Sequence, residues 1–93
     1  MNEANKHQWR VFIQKRAQKT LTRLPTNQVS RIDHAIRSLA LDPRPHSCKK
    51  LKGFDDLYRI RIGDWRIIYA VRDKSLIILV VDISSRGDAY RRL

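Results

Sequence analysis

Apolar positions change period several times along this chain, and each change predicts an element. Trp9, Val11 and Ile13 alternate with Arg10 and Phe12, the pattern of a short strand. From Gln14 the apolar residues Ala17, Leu21 and Leu24 recur at helical spacing, with Lys15, Arg16, Lys19 and Arg23 elsewhere on the wheel. Pro25 stops that helix, because its ring blocks continuation, and Thr26 or Asn27 is placed to cap the next. Val29, Ile32, Ala35, Ile36 and Leu39 line one face of a second helix. It runs to about Leu41, where Asp42-Pro43 and Pro45 break it. The tight Leu-Pro-Thr turn makes the pair a helical hairpin.

Beyond a basic loop from Arg44 to Asp56, which carries Lys49, Lys50, Lys52 and Gly53, the period becomes that of strands. Leu57 to Ile62 sets Ile60 and Ile62 against Arg59 and Arg61. Gly63-Asp64 is a hairpin signal, Trp65 to Val71 is the returning strand, and Arg72 to Ser75 is another turn. Leu76 to Ile83 is a near-continuous apolar run, as expected of a central strand covered on both faces. Ser84 to Asp88 then reads as a loop and Ala89 to Leu93 as a short terminal helix. The order is β-α-α-β-β-β, an α+β fold. Its last strands form an antiparallel meander, the helical hairpin packs on one face, and the first strand pairs at the sheet edge.

Residues 1–93 are read as one domain, with 1–6 as a polar tail. The tail has no apolar core such as a signal peptide carries. The apolar run Leu76 to Val81 is too short to span a membrane. A cytoplasmic protein without membrane association is therefore expected. Charge adds more: 20 Lys and Arg against 9 acids give a formal net charge of +11. Self-repulsion of that size is best tolerated beside a polyanion such as nucleic acid, the ribosome or an acidic protein.

Familiar catalytic sets are missing. His7, His34 and His46 lack ligand spacing, and the single Cys48 can form neither an internal disulfide nor a cysteine-based metal site. There is no glycine-rich phosphate loop and no serine elbow. No metal or other cofactor is expected. Arginine placement remains. Arg59 and Arg61 share one sheet face by alternation, Arg66 follows across the Gly63-Asp64 turn, and Tyr58 and Tyr69 alternate with these positions. Arg86 follows the last strand, with Tyr90 four residues on. Arginines beside an aromatic suit phosphates and bases, although a solvated sheet face has the same pattern. Lys49, Lys50 and Lys52 could steer a phosphate backbone or form an ordinary solvated loop.

Two stretches, Lys50-Leu51-Lys52-Gly53 and Leu57 to Tyr69 (LYRIRIGDWRIIY), carry a wider pattern. A K-L-x-G turn, a Y-R-I-R strand, a turn and a W-R-I-I-Y strand together resemble the central signature of the RelE/ParE toxin superfamily. The Leu24-Pro25 break and the Arg86 to Tyr90 segment extend the resemblance over nearly the whole chain from Trp9. The resemblance implies a toxin held by a cognate antitoxin. RelE-like members enter the ribosomal A site and cut the mRNA codon there without a metal. The ribose 2′-hydroxyl attacks the adjacent phosphate, leaving a 2′,3′-cyclic phosphate and a 5′-hydroxyl. ParE-like members share the fold and inhibit DNA gyrase instead, and an inactive RNA- or protein-binding member is a third reading.

Carried over residue by residue, Arg59 and Arg61 stand where the best-known RelE pattern has lysines. Arg66 matches the arginine that stabilises the strained phosphate, Arg86 the arginine after the last strand, and Tyr90 the C-terminal tyrosine. Many relatives have Gly-His-Arg before that tyrosine; here it is Ser84-Ser85-Arg86, without the histidine. The implied roles are electrostatic for Arg59, Arg61 and Arg66, which would clamp the phosphate during in-line attack. Arg86 would assist the leaving 5′-oxygen, and Tyr90 would stack on a base or tune the 2′-hydroxyl. Arginine does not readily give up its proton, so these positions supply no general base.

Overall fold

The computed structural model describes residues 9–85. Strand β1 (Arg10–Ile13) leads into helices α1 (Lys15–Thr22) and α2 (Thr26–Leu39), followed by strands β2 (Lys49–Lys50), β3 (Leu57–Ile62), β4 (Trp65–Arg72) and β5 (Ile77–Ser85). The two-residue β2 lies inside the segment expected to be loop, so the order gains one strand.

Both helix boundaries follow from Pro25. Helix α1 closes through Arg23 N–H to Thr20 O and Leu24 N–H to Leu21 O, the tightened i to i+3 bonds of a helix end. Pro25 then stands extended in the N-cap position, with φ −59 and ψ 151, and no side chain caps α2. The expected cap at Thr26 or Asn27 is thus replaced. The Pro25 carbonyl accepts the first helical bonds, from Gln28 and Val29 N–H, and proline's missing donor is no loss there. Beyond Leu39 the turn continues, with Asp42 N–H donating to Ser38 O.

The sheet order is β1-β5-β4-β3-β2. The pairs β2/β3, β3/β4 and β4/β5 are antiparallel; β1 lies parallel to β5 at the edge, with the helical hairpin forming part of the connection between them. The β3–β4 turn has a left-handed Gly63, φ +60, where a Cβ would press within 3.3 Å of the Arg31 guanidinium of α2.

One sheet face packs on the helices. Ile60, Ile67, Tyr69, Val71, Ile78, Val80 and Ile83 are buried there against Ala17, Ile32, Ile36 and Leu39. On the other face only Ile68 and Leu51 are buried as a cluster, with Leu57 and Val81 packed beside them. Central strand β5 is therefore not covered equally: Ile78 and Val80 are fully buried, whereas Ile77, Leu79 and Val81 are half-buried. The described helices cover one side only.

Candidate nucleic-acid interface

Register places the arginines. Arg61 pairs directly with Arg66, and Arg59 pairs with Ile68. Since paired residues point the same way, Arg59, Arg61 and Arg66 all lie on the face away from the helices. Lys49 pairs with Arg59 and joins them from β2. Two arginines directly opposite one another repel, which costs the fold some stability. Arg66 Nε is buried on this face without a hydrogen-bond partner among the described residues, an unsatisfied donor that the fold tolerates at a cost.

A register shift in β5 adds a carboxylate to this face. Ile68 pairs with Asp82 but Tyr69 pairs with Val80, so Val81 is an extra residue on β5. Without this bulge, strict alternation from Ile78 and Val80 would drive Asp82 into the core and Ile83 out. The bulge reverses that parity. Ile83 is buried among the core residues, and Asp82 shares the arginine side with Ser84, which pairs with Arg66. Asp82 is 0% exposed, and its Oδ2 accepts a hydrogen bond from Ser84 Oγ at 3.2 Å. A buried charge requires compensation, and the Ser84 hydroxyl supplies part of it. Sequence reasoning passed over Asp82, although a lone acid inside the Leu76–Ile83 run was the available signal.

Tyr58 and Tyr69 do not join the arginines. Alternation puts them on the helix side, stacked with ring centroids 6.0 Å apart. The Tyr69 hydroxyl donates to Pro43 O at 2.8 Å. Arg44 lies over the Tyr58 ring, donates from Nε to the Tyr58 hydroxyl at 3.0 Å, and makes a two-pronged pair with Asp73 at 3.1 and 2.8 Å. These contacts tie the segment after α2 to β3, β4 and the β4–β5 turn. Titration shifts gather here. The hydrogen bond to Asp73, then that to Tyr58, raises the Arg44 pKa, Arg44 in turn lowers that of Asp73, and burial raises that of Tyr69. This is a structural staple on the far side of the sheet from Arg59, Arg61 and Arg66.

The lysines separate. Lys49 is on the arginine side, Lys50 donates from Nζ to Phe54 O at 2.9 Å, and Lys52 is exposed in the following turn. Arg86 and Tyr90 lie outside the described residues; Ser85, the last residue of β5, immediately precedes Arg86. Among the described residues no group of three His, Cys, Asp or Glu is arranged to hold a metal ion, and no helix is long and apolar enough to cross a membrane.

Residues 11–90 match the family described as ParE toxin of type II toxin–antitoxin system, parDE. The chain belongs to the RelE/ParE toxin family. It is 38% identical over 84 residues to the RelE1 protein of Methanocaldococcus jannaschii, covering 87% of this chain and 93% of that one. Among solved structures, the RelE-RelB complex of Pyrococcus horikoshii superposes with a TM-score of 0.78 at 36% identity, over 88% of this chain and 99% of the other. The intact E. coli RelBE toxin–antitoxin complex shares the fold, with a TM-score of 0.75 at 21% identity, over 85% and 98% of the two chains. In this family member the arginine side of the sheet, with Arg61 exposed and Arg59 and Arg66 half-buried, is the face that the described helices leave uncovered.

Proposed function

We propose that this RelE/ParE member is a ribosome-dependent endoribonuclease that cuts mRNA in the A-site codon and is held inactive by a RelB-like antitoxin. The observation that supports this most is the convergence of Arg59, Arg61 and Arg66 on one sheet face, with Arg61 directly opposite Arg66. A phosphate in in-line attack gains negative charge, and guanidinium donors fixed beforehand around it stabilise that charge without reorganising. In the reaction the 2′-hydroxyl loses its proton, O2′ bonds to phosphorus, and the bond from phosphorus to O5′ breaks. O5′ then takes up a proton. Arginine stays protonated, so the 2′ proton goes to a group outside this triad. Arg86 at the leaving oxygen and Tyr90 at the base complete the assignment. The antitoxin is an acidic or amphipathic chain that covers the basic face, as charge complementarity favours.

Programmed ribosomes with an empty A site, incubated with the purified chain and mapped by primer extension, test this. The expected result is a cut within the A-site codon, absent on free mRNA, and slowed on the order of a hundredfold to a thousandfold in Arg66→Ala. Wild-type cleavage by Arg66→Ala would remove the assignment. A second reading, a gyrase inhibitor, is favoured by the match to the ParE family. It would be adopted if the chain poisons cells by DNA damage and cuts nothing on ribosomes.

A further inference from the structure

Beside the arginine face, at the β2 edge, Lys49, Lys50, Leu51, Lys52, Phe54 and Arg59 line a hollow of about 380 Å³. Small-molecule sites start at roughly 300 Å³. Leu51, buried against Ile68, contributes an apolar wall, and Phe54 remains 40% exposed. Lys49, Lys52 and Arg59 supply positive charge around it. The loop carrying Phe54 is fixed at both ends: Leu51 N–H donates to Leu57 O at 2.9 Å, and Lys50 Nζ donates to Phe54 O at 2.9 Å. Gly53, at φ +84, makes the reversal between them.

A solvated lysine loop has no need of an exposed aromatic ring. An unpaired base needs one: every base has a π-face to stack, and cations nearby hold the phosphates on either side. Arg59 belongs to both surfaces, so a strand with one phosphate on the arginines has its next nucleotide beside the hollow. We propose that this hollow is a nucleobase site for single-stranded RNA. Phe54 is the stacking platform, and Lys49 and Lys52 engage the flanking phosphates. The inference rests on the nuclease reading only for the phosphate on the arginine face.

The test uses the full chain and end-labelled hexa-adenylate with 2′-O-methyl riboses, which lacks the attacking hydroxyl, with binding followed by fluorescence anisotropy. Phe54→Ala is expected to weaken binding about fivefold to a hundredfold. Phe54→Leu, apolar but without a π-face, should lose as much, and Phe54→Trp should bind like the parent. A single abasic residue scanned along the hexamer should, at one position, weaken the parent by the same factor and the Phe54→Ala protein no further. Equal affinity of parent and Phe54→Ala, or an equal loss on a wholly abasic backbone, overturns the base site. Melting curves establish that each variant is folded. Phe54-dependent binding without ribosomal cleavage leaves the base site standing and removes the nuclease reading. A-site cleavage by a chain whose hexamer affinity ignores Phe54 removes the base site alone.

Discussion

Arg66 and Ile67 are neighbours on β4 and face opposite ways. Ile67 is fully buried in the core against the helices. Arg66 lies opposite Arg61 on the uncovered side. The same alternation separates Ile60 from Arg59 and Arg61, so each strand divides its residues between the core and the charged face. The inner face satisfies its polar atoms locally, as the Tyr69 hydroxyl does with Pro43 O. The outer face gathers like charges that the fold alone does not want. The two faces should therefore respond to substitution with opposite signs.

The largest effect is expected inside. Ile67→Ala removes a fully buried side chain and should cost about 2–5 kcal/mol by urea denaturation. Against a total of roughly 5–15 kcal/mol for a domain, that is a severe loss. Arg66→Met keeps the stem volume and removes the charge opposite Arg61, so it should leave stability unchanged or raise it by a few tenths of a kcal/mol, roughly the size of a like-charge pair. It should nonetheless slow A-site cleavage on the order of a hundredfold to a thousandfold. Destabilisation by Arg66→Met comparable to that of Ile67→Ala would break the division between the faces.

That division was partly legible in the sequence. The two helices, the Pro25 break, the meander and the shared face of Arg59 and Arg61 all follow from local periodicity and turn residues. The direct pairing of Arg61 with Arg66 follows from the two-residue Gly63-Asp64 turn. The bulge at Val81 did not follow. In a run of apolar residues nothing marks which one is extra, so the parity that sends Asp82 outward was hidden. The parallel pairing of β1 with β5 is a long-range contact with no local signal. Phe54 read as part of a basic loop, because its partners, Leu51 and Arg59, converge only once β2 pairs with β3.

The inner face can be sharpened at Tyr69. Tyr69→Phe deletes one hydrogen bond and leaves Pro43 O without its donor, a loss of about 1–2 kcal/mol near neutral pH. Burial raises the Tyr69 pKa above its ordinary 10.0. Its contribution is therefore complete below about pH 10 and declines as pH rises above that, because the unfolded chain releases the proton first. Urea midpoints at about pH 8 and about pH 11 should show a steeper fall for the parent than for Tyr69→Phe. The other titrating groups are common to both proteins and cancel in the comparison. An equal fall in the two would mean that the phenol is not protected by the fold.

A modest gain is expected at a residue that serves neither face. Leu76 closes the β4–β5 turn in the left-handed region, φ 56, and the residue is 48% exposed. A Cβ there crowds the following carbonyl oxygen, a strain that asparagine offsets with a local hydrogen bond and leucine does not. The backbone cannot relax, because Leu76 O accepts a hydrogen bond from Arg10 N–H at 3.0 Å and so anchors the start of β1. Asparagine tolerates this conformation better, and about half of Leu76 is already exposed, so little packing is given up. Leu76→Asn should therefore raise stability by about 0.5–1 kcal/mol and leave A-site cleavage unchanged. A loss of stability would show that the Leu76 side chain contributes packing that outweighs the strain of its backbone, and the turn would then belong with the apolar part of the outer face.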